Sequence, residues 1–521
     1  MPVSRSLRPD KVRPVLLVEL LTGDNRVLAG QPAELVPGAR GAAPEPVALT
    51  GVTHDSRQVR PGDLYAALPG AKVHGARFAS DVVAAGAAAI LTDRDGVREA
   101  IDAGLPAIVV PDPRAALGSV AARIYGDPSD GLTVVGITGT NGKTTTAYLV
   151  EAGLRAAGQV TGVFGTVETR LGDEVLPAIR TTPEAPDLQA LLAVARERGV
   201  TAVVMEVSSH ALAMGRVEGV RFAAGLFTNL GSDHLDFHHT TEEYFAAKAK
   251  LFDGRCRFEV VNCDDPAGRR LVKPGTITVS PSGAPGATWR VAAREPAGFA
   301  QHFQLDGPDG LSVRGRVGLP AAYNVDNAAL AIAALAALGV PPAEAASGVA
   351  SARPVPGRME RVDAELDGGS PVLAVVDYAH DPHAVAAALG ALRPITKGRL
   401  ICVLGCGGDR DAGKRPLMGE QAALGADVFV ATDDNPRSEP PWQIRAEMLA
   451  GVAAVPDELR AEIVEVADRR AAVAEAVRRS EPGDTVAVLG KGHEQGQEVS
   501  GVVHPFDDRV VLAESLREVY G

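Results

Sequence analysis

A glycine-rich segment followed by lysine and threonine is the strongest chemical signal in this chain of 521 residues. The sequence GITGTNGKTTT occupies residues 136–146 and follows a mostly apolar run at 132–137. Glycines let backbone N–H groups face phosphate oxygens, and the N-terminus of a following helix adds positive potential. The lysine would meet the outer phosphates, and the next threonine would offer a hydroxyl to Mg²⁺. We therefore predict a triphosphate site formed by Gly139, Thr140, Asn141, Gly142, Lys143, Thr144 and Thr145.

The spacing of these glycines leaves a simpler explanation open. It is shorter than in the common pattern GxxxxGK[ST], and an isolated GxxG is explained most simply as a turn between a strand and a helix. The GKT sequence at a strand-to-helix junction favours phosphate binding. Such a loop indicates a bound nucleotide, and it leaves the reaction undefined.

The elements that must position this loop alternate along the chain. We predict strands at 132–137, 202–207 and 223–228 and helices at 144–157, 186–198 and 242–252. Antiparallel strands are expected within 287–319, and an alanine-rich helix at 325–338. The Pro- and Arg-rich segment 351–363 is interpreted as a linker. Beyond it we predict strands at 372–377, 400–404, 427–431 and 485–489, with helices between them.

This alternation predicts an α/β protein with three domains. We place an N-terminal α/β domain at 1–130, a central P-loop domain with a mainly parallel sheet at 131–355, and a C-terminal Rossmann-like domain at 356–521. The length alone favours two to four domains.

Composition limits the class of partner and compartment. The net charge is −13, with 46% hydrophobic and 22% charged residues, so nucleic acid or an anionic membrane is not expected as a general partner. The four cysteines form no CxxC pair, which favours a reduced, cytoplasmic environment. The apolar run at 15–21 is too short for a membrane span, and the first dozen residues are expected to form a loose tail.

Longer motifs extend the pattern over nearly the whole chain. In order, they read GTNGKTTT, MEVSSHAL, TNLGSDHLDFH, EEYFAAKAKLF, YNVDNAALA, VDYAHDPHA, GCGGDRDAGKRPLMG, TDDNPRSE and GKGHE. Together they resemble the Mur ligase family. The resemblance implies an ATP- and Mg²⁺-dependent ligase that adds meso-diaminopimelate to UDP-MurNAc-L-Ala-D-Glu through an acyl phosphate. It also implies that the three domains bind the UDP-sugar, ATP and the incoming amino acid in that order.

The resemblance assigns catalytic roles that single residues could not support. Glu206, at the end of a predicted strand, and His234 would bind Mg²⁺ together with Thr144. Lys248 would carry a CO₂-derived carbamate that binds or orients Mg²⁺, and Lys143 would act on the phosphates. Without the resemblance, Lys248 and Lys250 are most simply solvated lysines on a helix.

The remaining sites are also implied by family motifs. The UDP-sugar contacts would be Ser56, Ala71, Lys72, Val73, Thr181, Thr182, Ser208 and Arg216. Met214 replaces the glutamine that the better-known pattern has two residues before this arginine, which puts one substrate contact in doubt. On the adenine and ribose side, the contacts would be Asn324, Asn327, Arg358 and Asp377. The two asparagines lie about one helical turn apart, so both can face one ligand.

The acceptor site would decide the substrate. It is expected to consist of Arg410, Asp434, Asn435, Pro436, Arg437, Gly490 and Glu494. Arginine suits the distal carboxylate of diaminopimelate, which lysine lacks, while Glu494 and the carbonyl of Gly490 would hold the distal ammonium.

Three alternatives remain at this stage. They are a lysine-adding Mur ligase, a ligase like folylpolyglutamate synthetase, and a nucleotide-binding switch without catalysis. The chain is expected to act as a monomer, without nucleic acid and without membrane insertion.

Overall fold

The computed structural model describes residues 7–22, 28–38, 46–176, 180–231, 233–364, 366 and 369–521. These residues form two compact units. The first comprises 1–230, 240–279 and 333–345, and the second comprises 231–239, 280–332 and 346–521, within the described parts. Every site residue predicted above lies in the described part of the chain.

A small sheet is built from the chain before residue 131. Its elements are β1 (Val15–Leu16), α1 (Glu19–Thr22), β2 (Glu34–Val36), β3 (Ala48–Leu49), β4 (Gly51–Thr53), β5 (Asp63–Ala66), α2 (Ala79–Ala84), β6 (Ala89–Thr92), α3 (Val97–Asp102), β7 (Ala107–Val109) and α4 (Pro113–Ile124). The strand order is β2-β7-β6-β5-β4, and β1 pairs with β3 separately. Strands β4 to β7 run parallel, and β2 is antiparallel to β7.

The phosphate loop belongs to a larger sheet in the same unit. The chain from 133 to 280 contains β8 (Thr133–Thr138), α5 (Lys143–Ala156), β9 (Thr161–Phe164), β10 (Thr169–Leu171), β11 (Glu174–Leu176), α6 (Ala185–Glu197), β12 (Ala202–Glu206), α7 (Ser209–Ala213), β13 (Phe222–Phe227), α8 (Leu235–His238), α9 (Thr241–Ala249), β14 (Cys256–Asn262), α10 (Pro266–Leu271) and β15 (Ile277–Ser280). Here the strand order is β11-β10-β9-β12-β8-β13-β14-β15. Strands β8, β9 and β12 to β15 are parallel, and their apolar runs are buried, as expected for a sheet covered on both faces.

The rest of the chain supplies three antiparallel strands, one further sheet and a hairpin. Its elements are β16 (Trp289–Ala297), β17 (Ala300–Asp306), β18 (Ser312–Val317), α11 (Ala322–Ala337), α12 (Pro342–Ala350), β19 (Glu360–Arg361), β20 (Leu373–Asp377), α13 (Pro382–Leu392), β21 (Leu400–Leu404), α14 (Lys414–Gly425), β22 (Val428–Ala431), α15 (Pro441–Ala450), β23 (Glu462–Glu465), α16 (Arg469–Arg479), β24 (Thr485–Leu489), β25 (Gly496–Val499), β26 (Val502–Pro505) and α17 (Asp508–Tyr520). Strands β16 to β18 are antiparallel, and the sheet β19-β20-β24-β21-β22-β23 is parallel except for β19.

The predicted α/β class is confirmed, with three local corrections. Helix α9 ends at Ala249 and gives way to a 3₁₀ turn at Lys250–Phe252, so the predicted helix 242–252 is too long. The predicted linker contains the edge strand β19, which pairs with β20. The expected loose tail is wrong for its described part, because half-buried Arg8 donates to Asp63 at 2.5 Å. No described helix is long and apolar enough to cross a membrane.

Helix α4 of the small sheet packs closely against the segment that leads into β13. Gly118 lies in the middle of α4, and a Cβ atom there would overlap the carbonyl oxygen and side chain of Glu218. Gln189 of α6 donates to the same Glu218 carbonyl at 3.3 Å. The small sheet and the phosphate-loop sheet are therefore joined by a close backbone approach that only glycine permits at this position.

We expect Gly118→Ala to lower the stability of the protein by about 1–3 kcal/mol because the added methyl group has no space. The matched control is Gly390→Ala in α13, where a Cβ atom meets no heavy atom within 4 Å. Alanine should stabilise that exposed helix position by about 0.5–1 kcal/mol. Thermal unfolding of both variants tests this contrast, and shifts of the same sign would contradict it.

Candidate active site

Two glycines with positive φ angles shape the loop between β8 and α5. Gly142 has φ +85° and directly precedes Lys143, the first residue of α5. Gly139 has φ +149°, and a Cβ atom there would overlap the hydroxyl of Thr228. The loop can therefore approach the end of β13 closely because Gly139 lacks a side chain, and Gly142 supplies the left-handed turn into α5.

The loop is braced by the residues that follow β13. Asn229 accepts from the N–H groups of Thr140, through its carbonyl at 2.8 Å, and of Asn141, through its side chain at 3.0 Å. The Thr228 hydroxyl donates to the Asn141 carbonyl at 2.7 Å. Two of the N–H groups predicted to face phosphate thus donate to Asn229 in this structure. Sequence reasoning missed this brace, although its residues lie in the quoted motif TNLGSDHLDFH.

Two lysine ammonium groups are directed at the loop. Lys143 Nζ donates to the carbonyls of Gly139 at 3.0 Å and Thr140 at 2.8 Å. Lys248 Nζ donates to the same Gly139 carbonyl at 2.7 Å and lies 4.3 Å above the ring of Tyr244. Because Lys248 is only 1% exposed, its interpretation as a solvated helix lysine is wrong. Lys250 is exposed, so the two lysines are not interchangeable.

Glu206 ends β12 beside the start of α5. Its Oε1 accepts from the Thr144 hydroxyl at 3.0 Å and from the Thr166 N–H at 2.8 Å, and its Oε2 accepts from the Thr166 hydroxyl at 3.1 Å. The side chain is buried. A carboxylate and a hydroxyl are hard oxygen ligands, and Mg²⁺ needs only one or two protein carboxylates beside waters and substrate phosphates. The pair Thr144 and Glu206 therefore fits the predicted Mg²⁺.

The other predicted metal ligand belongs to the second unit. His234 immediately precedes α8, has φ +55°, and lies 3.4 Å from the Asp233 carboxylate. Its imidazole is about half exposed. Among the described residues, no group of three or more His, Cys, Asp or Glu is gathered to hold a metal. His234 as a second Mg²⁺ ligand stays a prediction.

Hydroxyl groups connect Glu206 with residues predicted for the UDP-sugar. Thr182 donates to the Glu206 carbonyl at 2.9 Å and accepts from the Ser208 N–H at 3.1 Å. The hydroxyls of Thr181 and Thr166 are 3.0 Å apart. Thr181, Thr182 and Ser208 are therefore brought together with the Glu206 that contacts the phosphate loop.

The Arg216 guanidinium contacts the Glu184 carboxylate and the Met214 side chain. Its Nη2 lies 2.8 Å from Glu184 and 3.5 Å from the Met214 sulfur, and Nη1 donates to the Thr182 carbonyl at 3.4 Å. Burial lowers the pKa of Arg216, and the Glu184 charge partly offsets this. Its buried Nε has no hydrogen-bond partner among the described residues. Met214 thus contacts the arginine itself, where the family pattern has a glutamine.

The other predicted UDP-sugar contacts lie on the small sheet. Ser56 is half-buried and begins a 3₁₀ turn after β4. Residues 71–73 form an exposed loop after β5. Exposed loops after the carboxyl ends of parallel strands suit ligand binding. A common site for Ser56, this loop and Arg216 stays a prediction.

The four residues predicted to contact adenine and ribose all lie in the second unit. Asn327 donates to the side chain of Asn324 at 3.4 Å, and both are buried near the start of α11. The Arg358 guanidinium lies 4.2 Å above the ring of Tyr378. Burial raises the pKa of Asp377, while Arg358 and the N–H groups of Met359 and Ala379 oppose the rise.

The predicted acceptor residues lie after β21, β22 and β24, whose carboxyl ends share one edge of the parallel sheet. Arg437 has φ +52°, donates to the Gly408 carbonyl at 2.6 Å, and lies 3.4 Å from Glu498. A residue other than glycine in this conformation is strained, which is common at ligand sites. Arg410 is exposed, and its contact with the Asp409 carbonyl is within its own loop.

Two carboxylates of this edge belong to the predicted acceptor site, and one of them lies close to Gly490. Asp434 is buried, and its Oδ2 has no hydrogen-bond partner among the described side chains. A Cβ atom at Gly490 would lie 2.8 Å from that oxygen. Asn435 donates to Glu494 at 2.8 Å. Asn435 is thus in contact with Glu494, and Gly490 lies next to Asp434, while their binding of an ammonium group stays a prediction.

An α/β protein with a phosphate loop, a buried carboxylate at its helix start and a second ligand edge has the features of a nucleotide-dependent enzyme. Three protein-family models match this chain. The model described as "Mur ligase family, catalytic domain" matches residues 48–125, and "Mur ligase middle domain" matches residues 137–335. The model described as "Mur ligase, glutamate ligase domain" matches residues 357–492.

Similar proteins extend this match along the chain. A Streptomyces coelicolor protein named UDP-N-acetylmuramoyl-L-alanyl-D-glutamate–2,6-diaminopimelate ligase is 55% identical over 95% of this chain and 98% of its own. A Corynebacterium glutamicum protein of the same name is 47% identical over 90% and 92% of the two chains. A Leifsonia xyli protein named UDP-N-acetylmuramyl-tripeptide synthetase is 44% identical over 91% and 92%.

Solved structures agree in fold. One solved structure is that of a UDP-N-acetylmuramoyl-L-alanyl-D-glutamate–2,6-diaminopimelate ligase. It matches with a TM-score of 0.64 at 32% identity, over 90% of this chain and 95% of that chain. A folylpolyglutamate synthase from Mycobacterium tuberculosis with ADP and AMPPCP has a TM-score of 0.59 at 18% identity and covers 78% and 96%. The latter likeness shows the fold alone. The chain belongs to the Mur ligase family, and it is an ATP-dependent ligase.

We expect Thr144→Val to weaken binding of Mg²⁺–ATP by about tenfold or more, because the variant keeps the shape and loses the hydroxyl beside Glu206. The matched control is Thr146→Val in the same helix. The Thr146 hydroxyl is buried without a hydrogen-bond partner among the described residues, so its removal should leave the affinity unchanged. Calorimetric titration with a nonhydrolysable ATP analogue measures both, and equal losses would contradict the assignment.

Proposed function

We propose that this protein adds diaminopimelate, in its meso form, to UDP-MurNAc-L-Ala-D-Glu in peptidoglycan synthesis. The observation that carries the proposal is the double role of Glu206. Its carboxylate accepts from Thr144 of the phosphate loop, and its carbonyl accepts from Thr182, which we assign to the UDP-sugar peptide. One residue therefore joins the side where the phosphate donor binds to the side where a substrate carboxylate would be phosphorylated.

The chemistry requires activation because a carboxylate is a poor electrophile at neutral pH. An oxygen of the D-glutamyl γ-carboxylate attacks the γ-phosphorus of ATP, and the bond from that phosphorus to ADP breaks. The amine of diaminopimelate then attacks the acyl carbon, loses a proton, and inorganic phosphate leaves. In this scheme Lys143 neutralises charge on the transferred phosphoryl group, and the backbone of 139–142 fixes its position.

Metal binding supports the same assignment of residues. Thr144 and Glu206 would hold Mg²⁺, with His234 as a proposed ligand of a second ion, and the metal would supply positive charge to the phosphate oxygens. Buried Lys248 stands at the Gly139 carbonyl, beside the loop. We propose that its amine is carbamylated by CO₂, which would provide an anionic oxygen ligand where the unmodified side chain provides a cation.

The acceptor is assigned from the edge that carries Arg437. Its guanidinium would bind the distal carboxylate of diaminopimelate, while Asp434, Glu494 and the Gly490 carbonyl would bind the distal ammonium. The names of the two relatives at 55% and 47% identity support this choice. Lysine offers the ammonium without the carboxylate, so it would leave Arg437 without a ligand. The free thiols of all four cysteines and the use of ATP support a cytoplasmic location.

A panel of acceptors tests the proposal. With ATP, Mg²⁺ and UDP-MurNAc-L-Ala-D-Glu held fixed, phosphate release should accompany addition of meso-diaminopimelate and be far slower with lysine or glutamate. Release that is fastest with lysine would support a lysine-adding ligase instead. Release that needs neither the UDP-sugar nor an amine would contradict ligation.

Within that assay we expect Arg437→Lys to raise the KM for diaminopimelate by about 10- to 100-fold, because lysine cannot form the paired contact of a guanidinium with a carboxylate. The KM for ATP should change little. Arg478→Lys, on the exposed face of α16, is the control and should resemble the unsubstituted protein. An unchanged KM for diaminopimelate in Arg437→Lys would refute the role of Arg437.

We expect Lys248→Ala to reduce turnover by about 100-fold or more, because the proposed carbamate oxygen is lost. Added short carboxylates should restore part of the activity by occupying the vacated volume. Lys250→Ala, two residues away and exposed, is the control and should retain activity. Full activity of Lys248→Ala, or no uptake of isotope-labelled CO₂ by the unsubstituted protein, would exclude the carbamate.

A further inference from the structure

Lys491 is a fully buried lysine in the loop after β24, in the motif GKGHE. Its Nζ donates to Oδ1 of Asn435 and to Oε2 of Glu494, each at 2.9 Å. Both partners belong to the proposed acceptor site, while Lys491 itself lies behind them. A buried ammonium is costly unless it is paired and hydrogen-bonded, so this placement needs a reason.

The contacts of Lys491 join separate segments of the site. Asn435 donates to Oε2 of Glu494 at 2.8 Å, and its Oδ1 also accepts from the Glu498 N–H at 2.9 Å. The Asn435 amide is therefore occupied by the protein on both ends. Lys491 and Asn435 together hold the loop after β22, the loop after β24 and the start of the β25–β26 hairpin in one arrangement.

Glu494 is left with one oxygen for a ligand. Lys491 and Asn435 both bind its Oε2, and no described residue donates to its Oε1. The side chain is about one-third exposed, so that oxygen can be reached. The buried Oδ2 of Asp434 has no hydrogen-bond partner among the described residues and offers a second acceptor at the same edge.

A second buried cation, Arg469, lies near Asp434. Arg469 is paired with fully buried Asp508 at 2.7 Å, donates to the Leu489 carbonyl at 2.9 Å, and lies 3.8 Å from Asp434. The three carboxylates of Asp434, Glu494 and Asp508 thus face the two cations Arg469 and Lys491. Among these five groups the carboxylates outnumber the cations by one, which favours an ammonium near Asp434 and Glu494, while Arg437 remains for a carboxylate.

We propose that Lys491 is a positioning residue that sets the acceptor preference of this site. It holds Glu494 and Asn435 in place, and its charge limits how negative the pocket becomes. Removing that charge would weaken attraction for the distal carboxylate of diaminopimelate and strengthen attraction for an acceptor whose distal end is purely cationic, such as lysine. This inference rests on the proposed function.

Charge-removing and charge-keeping variants separate these effects. Lys491→Met and Lys491→Gln should each raise the KM for diaminopimelate by about 10- to 100-fold, with the KM for ATP within about twofold. The ratio of kcat/KM for diaminopimelate to that for lysine should fall by about tenfold or more. Lys491→Arg keeps the charge and should largely keep this ratio. Lys397→Met, at an exposed lysine of the same unit, is the control and should change neither.

The outcomes distinguish the inference from the function on which it rests. If the unsubstituted protein does not ligate diaminopimelate, the proposed function fails. If it does, and Lys491→Met and Lys491→Gln keep its KM and acceptor ratio, the inference is overturned. Equal increases in KM for ATP and diaminopimelate, with an unchanged acceptor ratio, would also overturn it, because they indicate a purely structural lysine. Lys491→Gln serves as the test if Lys491→Met does not fold.

Discussion

The burial of the Glu206 carboxylate at the end of β12 is the constraint on which the first unit depends. A buried carboxylate is stable only where donors surround it, and here Thr144 and Thr166 supply three hydrogen bonds. These donors fix the start of α5 and the turn after β9 against the same strand. The carbonyl of Glu206 fixes Thr182. The proposed metal site and the threonine proposed to bind substrate are thus both held by Glu206, one through its carboxylate and the other through its carbonyl.

Three buried cations also hold parts of the proposed sites in place, in a chain whose net charge is −13. Lys248 donates to the phosphate loop, Arg469 pairs with Asp508, and Lys491 bridges Asn435 and Glu494. Replacing a buried ion pair as a whole by well-packed apolar residues is often neutral for stability, so a buried pair is weak evidence for a purely structural role. Their shared property is that each contacts a residue or loop assigned to a ligand.

The phosphate loop could be predicted from sequence because its chemistry depends on adjacent backbone groups, which a short motif specifies. Its brace by Thr228 and Asn229 could not, because that contact depends on β13 lying next to β8, about 90 residues away along the chain. The same limit explains Lys248. Its helix periodicity allows a solvated position, and only the packing of α9 buries its ammonium. The antiparallel β16 to β18 were predicted, whereas the short hairpin β25–β26 was missed because alternation over four residues is a weak signal.

The choice of acceptor depends on charges from several segments of the chain, whereas phosphate binding depends on one short backbone motif. The motif DDNPR contains side chains that can contact a ligand. The charge of the proposed acceptor site depends also on buried Arg469 and Lys491, which contact these residues. A site selects between diaminopimelate and lysine by a difference in free energy, and that difference includes every charge near the distal carboxylate. Two ligases with identical contact residues could therefore prefer different acceptors if the cations behind those residues differed. In this proposal, the preference for diaminopimelate over lysine depends on all the charged residues at the carboxyl ends of β20 to β24, and the DDNPR motif is one part of that set.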